Sequence, residues 1–174
     1  MTAYNILRDS EGFYYVFCKL EEIDTVPKFT PDSEKRRRDL EEYEKRHRQL
    51  PFLMSPMITN GALAIELAFK FLIFKENLEF ECDHKLDILF LQLPQKYGDE
   101  LRTKIYEQIH QNEESLMKNL NQISNLFVEA RYSFERDTIG YSNFFTDLVH
   151  LVCDYVIDMK KEYIYEEADI LADD

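Results

Sequence analysis

The sequence predicts an all-α protein, folded as an antiparallel up-and-down bundle of four to five main helices. The chain has 174 residues, and 45% of them are hydrophobic, which suffices for one domain with a substantial core. It contains 4 glycines, too few for a fold rich in tight β-turns. Over most of its length, apolar residues recur at intervals of three and four, as they do on the faces of helices.

Residues 1–26 form the one ambiguous segment. Their apolar side chains recur at helical spacing, namely Phe13, Phe17, Leu20 and Ile23. The aromatic and β-branched run FYYVF within the same segment would also suit a strand. We favour a helix.

Residues 34–49 predict an exposed helix, because they mix charges of both signs and hold little apolar surface. The start of this helix carries the strongest positive cluster of the chain, Lys35, Arg36, Arg37 and Arg38. One interpretation of this cluster is a solvated helix face. The other is a strip that contacts phosphate groups or a protein partner.

Residues 61–74, GALAIELAFKFLIF, predict the central helix of the bundle. A helix that is apolar nearly all round must be covered by neighbours on several sides. Glu66 and Lys70 interrupt the apolar run, and their spacing of four places them on one face in the orientation that favours an ion pair. We expect Pro51 and Pro56 to separate this helix from the charged one before it.

Four further helices follow from the same periodicity. Residues 84–94 predict a short helix, with Asp83 placed to cap its start. Residues 97–111 predict a weaker helix. Continuous apolar stripes over residues 115–135 and 142–163 predict two long amphipathic helices.

We treat the chain as a single domain with an N-terminal extension (1–50), a helical core (51–163) and an acidic tail (164–174). The net charge of −13 disfavours nonspecific nucleic-acid binding, because phosphate backbones are repelled at long range. No signal peptide is evident, and the apolar run at 61–74 is shorter than the ~20 residues that span a bilayer. We therefore expect a cytoplasmic protein without a membrane span.

Motifs of several enzyme classes are absent from the sequence. Its scattered glycines exclude a P-loop and a dinucleotide-binding fingerprint. The 4 histidines show no HExxH spacing, and a single ExxH spacing, at Glu44 and His47, lies in the exposed charged helix. We expect no metal site and no cofactor. The 3 cysteines lack a CxxC spacing and predict free thiols.

The order of the remaining motifs resembles that of the HEPN family of helical domains. In that family an apolar helix carries a Glu and a Lys as AIELAFK does at 64–70, often after an Asn such as Asn60. Segments similar to HKLDILFLQLP at 84–94 and FVEARYSFE at 127–135 follow in the same order. Together the motifs cover residues 60–160.

The resemblance implies a helical bundle that forms a homodimer. Many members of the family are RNases whose site joins an Arg to a His that follows it after four to six residues, with two copies meeting across the dimer. No Arg stands at that spacing before any of the 4 histidines of this chain. The RNase motif is therefore absent, and we predict no catalytic residues.

The family motifs also define a candidate polar cluster, which consists of Asn60, Glu66, Lys70, His84, Arg131, Tyr132 and Glu135. In one interpretation the cluster is structural, and Arg131 reaches Glu66 from a neighbouring helix to help neutralise buried charge. In the other, Glu66, Lys70, His84 and Arg131 line a pocket for a nucleotide or a phosphate.

Three functions are compatible with these features. The first is a non-catalytic interaction module that acts as a homodimer in a bacterial defence or toxin–antitoxin setting. The second is a nucleotide- or RNA-binding protein that uses the polar cluster or the basic strip Lys35–Arg38. The third is a partner protein whose acidic tail docks onto a basic surface.

Overall fold

A computed structural model describes residues 3–24, 33–49, 53–76, 84–131 and 143–160, and gives the backbone alone for 24, 46–49 and 126–131. Seven helices occupy these residues: α1 (Ala3–Asp24), α2 (Ser33–Gln49), α3 (Met54–Lys75), α4 (Leu86–Leu91), α5 (Gln95–Ile109), α6 (Glu113–Arg131) and α7 (Asn143–Asp158). No strand occurs within these ranges. The predicted all-α class is confirmed, and the ambiguous N-terminal segment is helical over Ala3–Asp24. The acidic tail lies outside the described residues.

Helix α3 occupies the centre of the fold and packs against α1, α4, α6 and α7. Ile58, Ile65 and Leu72 are fully buried, as expected for a helix that is apolar nearly all round. The helix begins at Met54, earlier than predicted, so that Pro56 lies in its first turn. A proline is tolerated there because the first amides of a helix have no partner within it. Pro56 is therefore part of the helix and not of the break before it.

Helix α3 is also the one described helix that is long and apolar enough to cross a membrane. Its 22 residues exceed the predicted run at 61–74, so the expectation that this segment is too short was wrong. Within its most apolar stretch, 72% is buried inside the protein. Its apolar surface is thus largely used in packing against the other helices.

Helices α1, α3 and α7 meet around Gly61. A Cβ added there would lie 2.7 Å from Cζ of Phe145 and 3.0 Å from Cδ2 of Phe17, so a side chain would overlap both rings. The two rings meet edge to face, with their centroids 6.0 Å apart. Further along, the Ser10 hydroxyl donates to the Ala64 carbonyl at 2.9 Å, which also requires close approach of α1 and α3. These contacts occur in opposite order along the two helices, so α1 and α3 are antiparallel.

Helix α7 runs along α1 in the opposite direction as well. Near the start of α7, Phe145 packs against Phe17. Beyond the end of α7, Nζ of Lys160 lies 2.7 Å from Oε2 of Glu11, and it donates to both oxygens of this carboxylate. Helix α1 therefore shares one hydrophobic core with α3 and α7.

The predicted weak helix at 97–111 is present as α5 but ends at Ile109. His110 adopts a left-handed conformation with φ 58°, which terminates the helix. Asn112 then caps α6, because its Oδ1 accepts a hydrogen bond from the Ser115 amide at 2.9 Å. A left-handed residue and an Asn cap thus separate two helices within a short connection.

Candidate functional site

Glu66 is the centre of a polar cluster that we call the α3 cluster, which consists of Glu66, Lys70 and His84. Glu66 is 4% exposed in the middle of α3. Its Oε1 accepts hydrogen bonds from Nζ of Lys70 at 2.7 Å and from Nδ1 of His84 at 2.8 Å. Because this oxygen already accepts from an ammonium, the imidazole donates its Nδ1 proton to it. The buried carboxylate is thus compensated by an ammonium one helical turn away.

The position of His84 is set by the start of α4, which is fixed against α6. The Leu86 amide donates to Oγ of Ser124 at 2.8 Å. The N-cap residue, Lys85, makes no side-chain hydrogen bond to the first turn of α4. Ser124 therefore supplies the acceptor for one amide of that turn. The predicted cap, Asp83, lies outside the described residues and does not occupy the N-cap position.

The other residues of the predicted polar cluster are placed differently or lie outside the description. Asn60 lies within α3 rather than in a segment before it, and its side-chain amide donates to the Pro56 carbonyl at 2.7 Å. Arg131 is the last residue of α6, and its side chain is not described. Tyr132 and Glu135 are outside the described residues. A contact between Arg131 and the α3 cluster therefore stays a prediction.

The basic strip of α2 is exposed, over Lys35, Arg36, Arg37 and Arg38. Within α2, Nε of Arg37 lies 3.6 Å from Oε1 of Glu41, and both side chains are largely exposed. Exposed pairs of this kind contribute little to stability. Helix α2 makes no extensive contact with the other described helices. This environment suits a solvated charged face and leaves the strip accessible to a partner.

A second polar cluster, which the sequence analysis missed, joins α1 to α7. We call it the α1–α7 cluster, and it consists of Tyr14, Glu21, His150 and Asp154. Nδ1 of His150 lies 2.8 Å from the Tyr14 hydroxyl, and its Nε2 lies 2.8 Å from Oε2 of Glu21. The Tyr14 hydroxyl donates to Oδ1 of Asp154 at 2.9 Å. The ring of Phe17 packs edge-on against the imidazole, with centroids 5.6 Å apart.

The hydrogen bonds of the α1–α7 cluster connect its members in a chain from Asp154 to Glu21. Tyr14 has a single hydroxyl proton, which it donates to Asp154. Nδ1 of His150 lies against the same hydroxyl, while the Glu21 carboxylate accepts from Nε2. The imidazole thus lies between the Tyr14 hydroxyl of α1 and the Glu21 carboxylate of the same helix, and it connects both to α7.

Burial favours the neutral forms of the phenol and the two thiols of this region. Burial and the hydrogen bond to Asp154 raise the pKa of the Tyr14 phenol. Burial raises the pKa of the Cys18 thiol, although a hydrogen bond with Tyr14 opposes the rise, and the charge of Glu21 adds to it. Burial also raises the pKa of the Cys153 thiol well above its ordinary value. Both thiols therefore stay protonated and are poor nucleophiles.

The sequence does contain a signal for the α1–α7 cluster, but it is confined to each helix separately. Tyr14 and Glu21 are seven residues apart on α1, and His150 and Asp154 are four apart on α7, so each pair lies on one helix face. The contacts between the two faces join residues 129 to 140 positions apart. Helical spacing cannot show that two such distant faces meet.

Both clusters join elements of the fold through charge-assisted hydrogen bonds. The α3 cluster fixes the segment before α4 to α3, and the α1–α7 cluster fixes α1 to α7. Among the described residues, no group of three or more His, Cys, Asp and Glu side chains is arranged to hold a metal ion.

Comparison with protein-family models, with curated proteins and with solved structures gives no match to this chain.

Proposed function

We propose that this protein is a non-catalytic, HEPN-like interaction module that acts as a cytoplasmic homodimer in a bacterial defence or toxin–antitoxin setting. The observation that carries the proposal is the pairing of the buried Glu66 carboxylate with both Lys70 and His84. The order of the sequence motifs supports the family and its setting. The missing Arg–His spacing supports the absence of RNase activity.

The charges of the α3 cluster favour a structural role over catalysis. Metal-independent RNA cleavage needs a general base and a cation that stabilises the charge developing on the phosphorus. The Lys70 ammonium lies 2.7 Å from a carboxylate, and its side chain is 11% exposed. A buried pair of opposite charges adds no net positive charge that would attract a phosphate. His84 uses Nδ1 for the same carboxylate.

The directions of the helices support an up-and-down bundle as part of this proposal. Helix α1 is antiparallel to both α3 and α7, on the contacts described above. In this arrangement α1, α3, α5, α6 and α7 are the main helices. Helix α4 is a short connecting element, and α2 lies outside the bundle.

Incubating the purified protein with a varied set of RNAs in the presence of a chelator tests the non-catalytic part. We expect the RNAs to stay intact. Cleavage that persists in the chelator and disappears in Arg131→Ala would overturn the proposal. Arg102→Ala is the matched control, because the Arg102 guanidinium donates to Glu113 on the α5–α6 side. Cleavage that survives both substitutions and follows the protein through gel filtration would also overturn the non-catalytic part.

Co-expression with the products of the adjacent genes tests the interaction part. We expect this protein to be a homodimer by sedimentation and to co-purify with one of those products. A monomer that binds none of them would contradict the interaction role.

A second candidate function, nucleotide or RNA binding at the α3 cluster, is favoured by the exposure of His84. Its side chain is 71% exposed, and Lys85 beside it is exposed as well. This function predicts that labelled RNA binds and that the affinity falls as salt rises from about 50 to 200 mM. It also predicts weaker binding by His84→Ala. Absent or salt-insensitive binding in fluorescence anisotropy would exclude it.

A further inference from the structure

The outer face of α1 carries a stripe of exposed residues at helical spacing, namely Arg8, Gly12, Tyr15, Lys19 and Glu22. Their intervals of four, three, four and three residues keep them on one side of the helix. Tyr15 is 64% exposed, and Val16 beside it is 40% exposed. An aromatic and a β-branched side chain thus form an apolar centre between two charged ends.

Gly12 lies at this centre, and nothing within the described protomer requires a glycine there. A Cβ added at Gly12 would have no described atom within 4 Å. Glycine in the interior of a helix lowers the stability of the helix relative to a residue such as alanine. At Gly61 the absence of a side chain lets α1 and α7 approach closely, because a Cβ would overlap neighbouring rings. The missing side chain at Gly12 would serve close approach by a helix from outside the protomer.

We propose that the α1 helices of two copies pack antiparallel across a twofold axis near residues 12–16, with Gly12 at the contact. The proposal rests on the homodimer in the proposed function and assigns its interface. In this register Val16 of one protomer lies over Gly12 of its partner. The two Tyr15 rings lie close to the axis.

The charges at the two ends of the stripe complement each other in the antiparallel register. With the axis near residues 14–15, Arg8 faces Glu22 of the partner subunit, and Asp9 faces Lys19 of the partner subunit. A twofold interface uses the same patch on both copies, so each of these pairs occurs twice. A parallel arrangement would instead bring like charges together.

Within one protomer, these charged groups pair locally. Nη2 of Arg8 lies 3.6 Å from Oδ1 of Asp9, and Nζ of Lys19 lies 2.8 Å from Oε2 of Glu22. All four side chains are about half exposed or more. Such exposed pairs are weak, so the side chains can exchange partners across an interface at little cost.

The test measures the dissociation constant of the dimer by sedimentation for the full chain and its variants. We expect Arg8→Glu and Glu22→Arg each to raise this constant by about tenfold or more, because each places like charges face to face. The double variant Arg8→Glu/Glu22→Arg restores opposite charges and is expected to recover most of the affinity. Tyr106→Glu is the matched control, since Tyr106 on α5 is 65% exposed and lies outside the stripe.

Gly12→Gln provides an independent test, because it is expected to weaken the dimer and to stabilise the monomer. The longer side chain is expected to raise the dissociation constant, because it blocks the close approach of the helices. At a dilution where the protein is monomeric, it is expected to raise the melting temperature, because Gln favours helix more than Gly does.

The outcomes separate this inference from the proposed function. A dimer whose affinity is unchanged by Gly12→Gln and by both charge reversals would overturn the α1 interface and leave the homodimer in place. A protein that stays monomeric at all concentrations would overturn both the interface and the homodimer. The RNA-cleavage experiment would still decide the non-catalytic part on its own.

Discussion

The α3 cluster and the α1–α7 cluster use a carboxylate and an imidazole in opposite positions. In the α3 cluster the carboxylate is inside, because the Glu66 side chain is 6% exposed and that of His84 is 71% exposed. In the α1–α7 cluster the imidazole is central, and the side chains of His150 and Glu21 are 36% and 33% exposed. Water can rehydrate the partners in the second cluster but not the buried charges in the first. The energetic consequence of a substitution should therefore follow the burial of the charge left behind.

The largest effect is expected for Glu66→Ala. This change leaves the Lys70 ammonium inside the bundle without the carboxylate that lies 2.7 Å away. Breaking a buried ion pair by removing one partner costs about 3–5 kcal/mol, so we expect the free energy of unfolding to fall by about that amount. Urea denaturation followed by circular dichroism measures it.

The double variant Glu66→Leu/Lys70→Met is the control for charge. It replaces both buried charges with apolar side chains of similar size. Such replacements of buried ion pairs often leave the stability unchanged. We expect it to recover most of the lost stability. If the double variant is as unstable as Glu66→Ala, packing rather than the loss of the carboxylate beside Lys70 sets the cost.

The next effect is expected for His150→Ala, which removes the centre of the α1–α7 cluster. Tyr14 and Glu21 lose their shared partner, and Phe17 loses a ring contact. Because Tyr14 and Glu21 are partly exposed, we expect a loss of about 1–3 kcal/mol in the free energy of unfolding. His150→Phe keeps a ring against Phe17, so its loss of stability measures the contribution of the hydrogen bonds alone. A loss larger than that of Glu66→Ala would show that burial of the charge does not determine the energetic cost.

The helices and the centre of the α3 cluster could be predicted because their signals are local. The apolar periodicity of residues 61–74 indicated α3, and the spacing of Glu66 and Lys70 indicated an ion pair on one helix face. The actual start of α3 at Met54 could not be predicted from Pro56, because proline is tolerated in a first turn but disfavoured further along.

Features that depend on contacts between residues far apart in the chain could not be predicted from the sequence. The cap of α4 comes from Ser124 on α6 and not from the chain just before α4. Gly61 looked like a helix start, whereas it is the point where rings from α1 and α7 reach the backbone of α3. In both cases the deciding partner lies on another helix, and periodicity describes one helix at a time.

A smaller effect, with a distinct pH dependence, is expected for Tyr14→Phe. The pKa of Tyr14 is raised in the folded protein, so above its ordinary value of about 10 the unfolded chain ionises this phenol first. The folded state then binds more protons, and its stability falls as pH rises above about 10. At neutral pH we expect Tyr14→Phe to cost about 1 kcal/mol for the lost hydrogen bonds. Above pH 10 the difference from wild type should shrink or reverse.

Tyr155→Phe is the matched control for this alkaline effect. The Tyr155 hydroxyl donates to Oε2 of Glu100 at 2.7 Å, and its pKa is raised by burial and by that hydrogen bond. It should show the same kind of pH dependence through the α5–α7 contact. Adding His150→Phe should change the effect of Tyr14→Phe and leave that of Tyr155→Phe unchanged. If His150→Phe changes the effects of both tyrosine substitutions equally, the assignment of Tyr14 to the α1–α7 cluster is wrong.

The smallest effect is expected for His84→Ala, although His84 bonds to the same oxygen as Lys70. Glu66 keeps its ammonium partner, and water can replace an imidazole that is 71% exposed. We expect a loss of no more than about 1 kcal/mol in the free energy of unfolding. A loss close to that of Glu66→Ala would mean that His84 fixes α4 in place. The stability losses within the cluster would then not follow the burial of the substituted side chains. If stability is kept while RNA binding is lost, His84 is a ligand-contacting residue, and the second candidate function gains over the first.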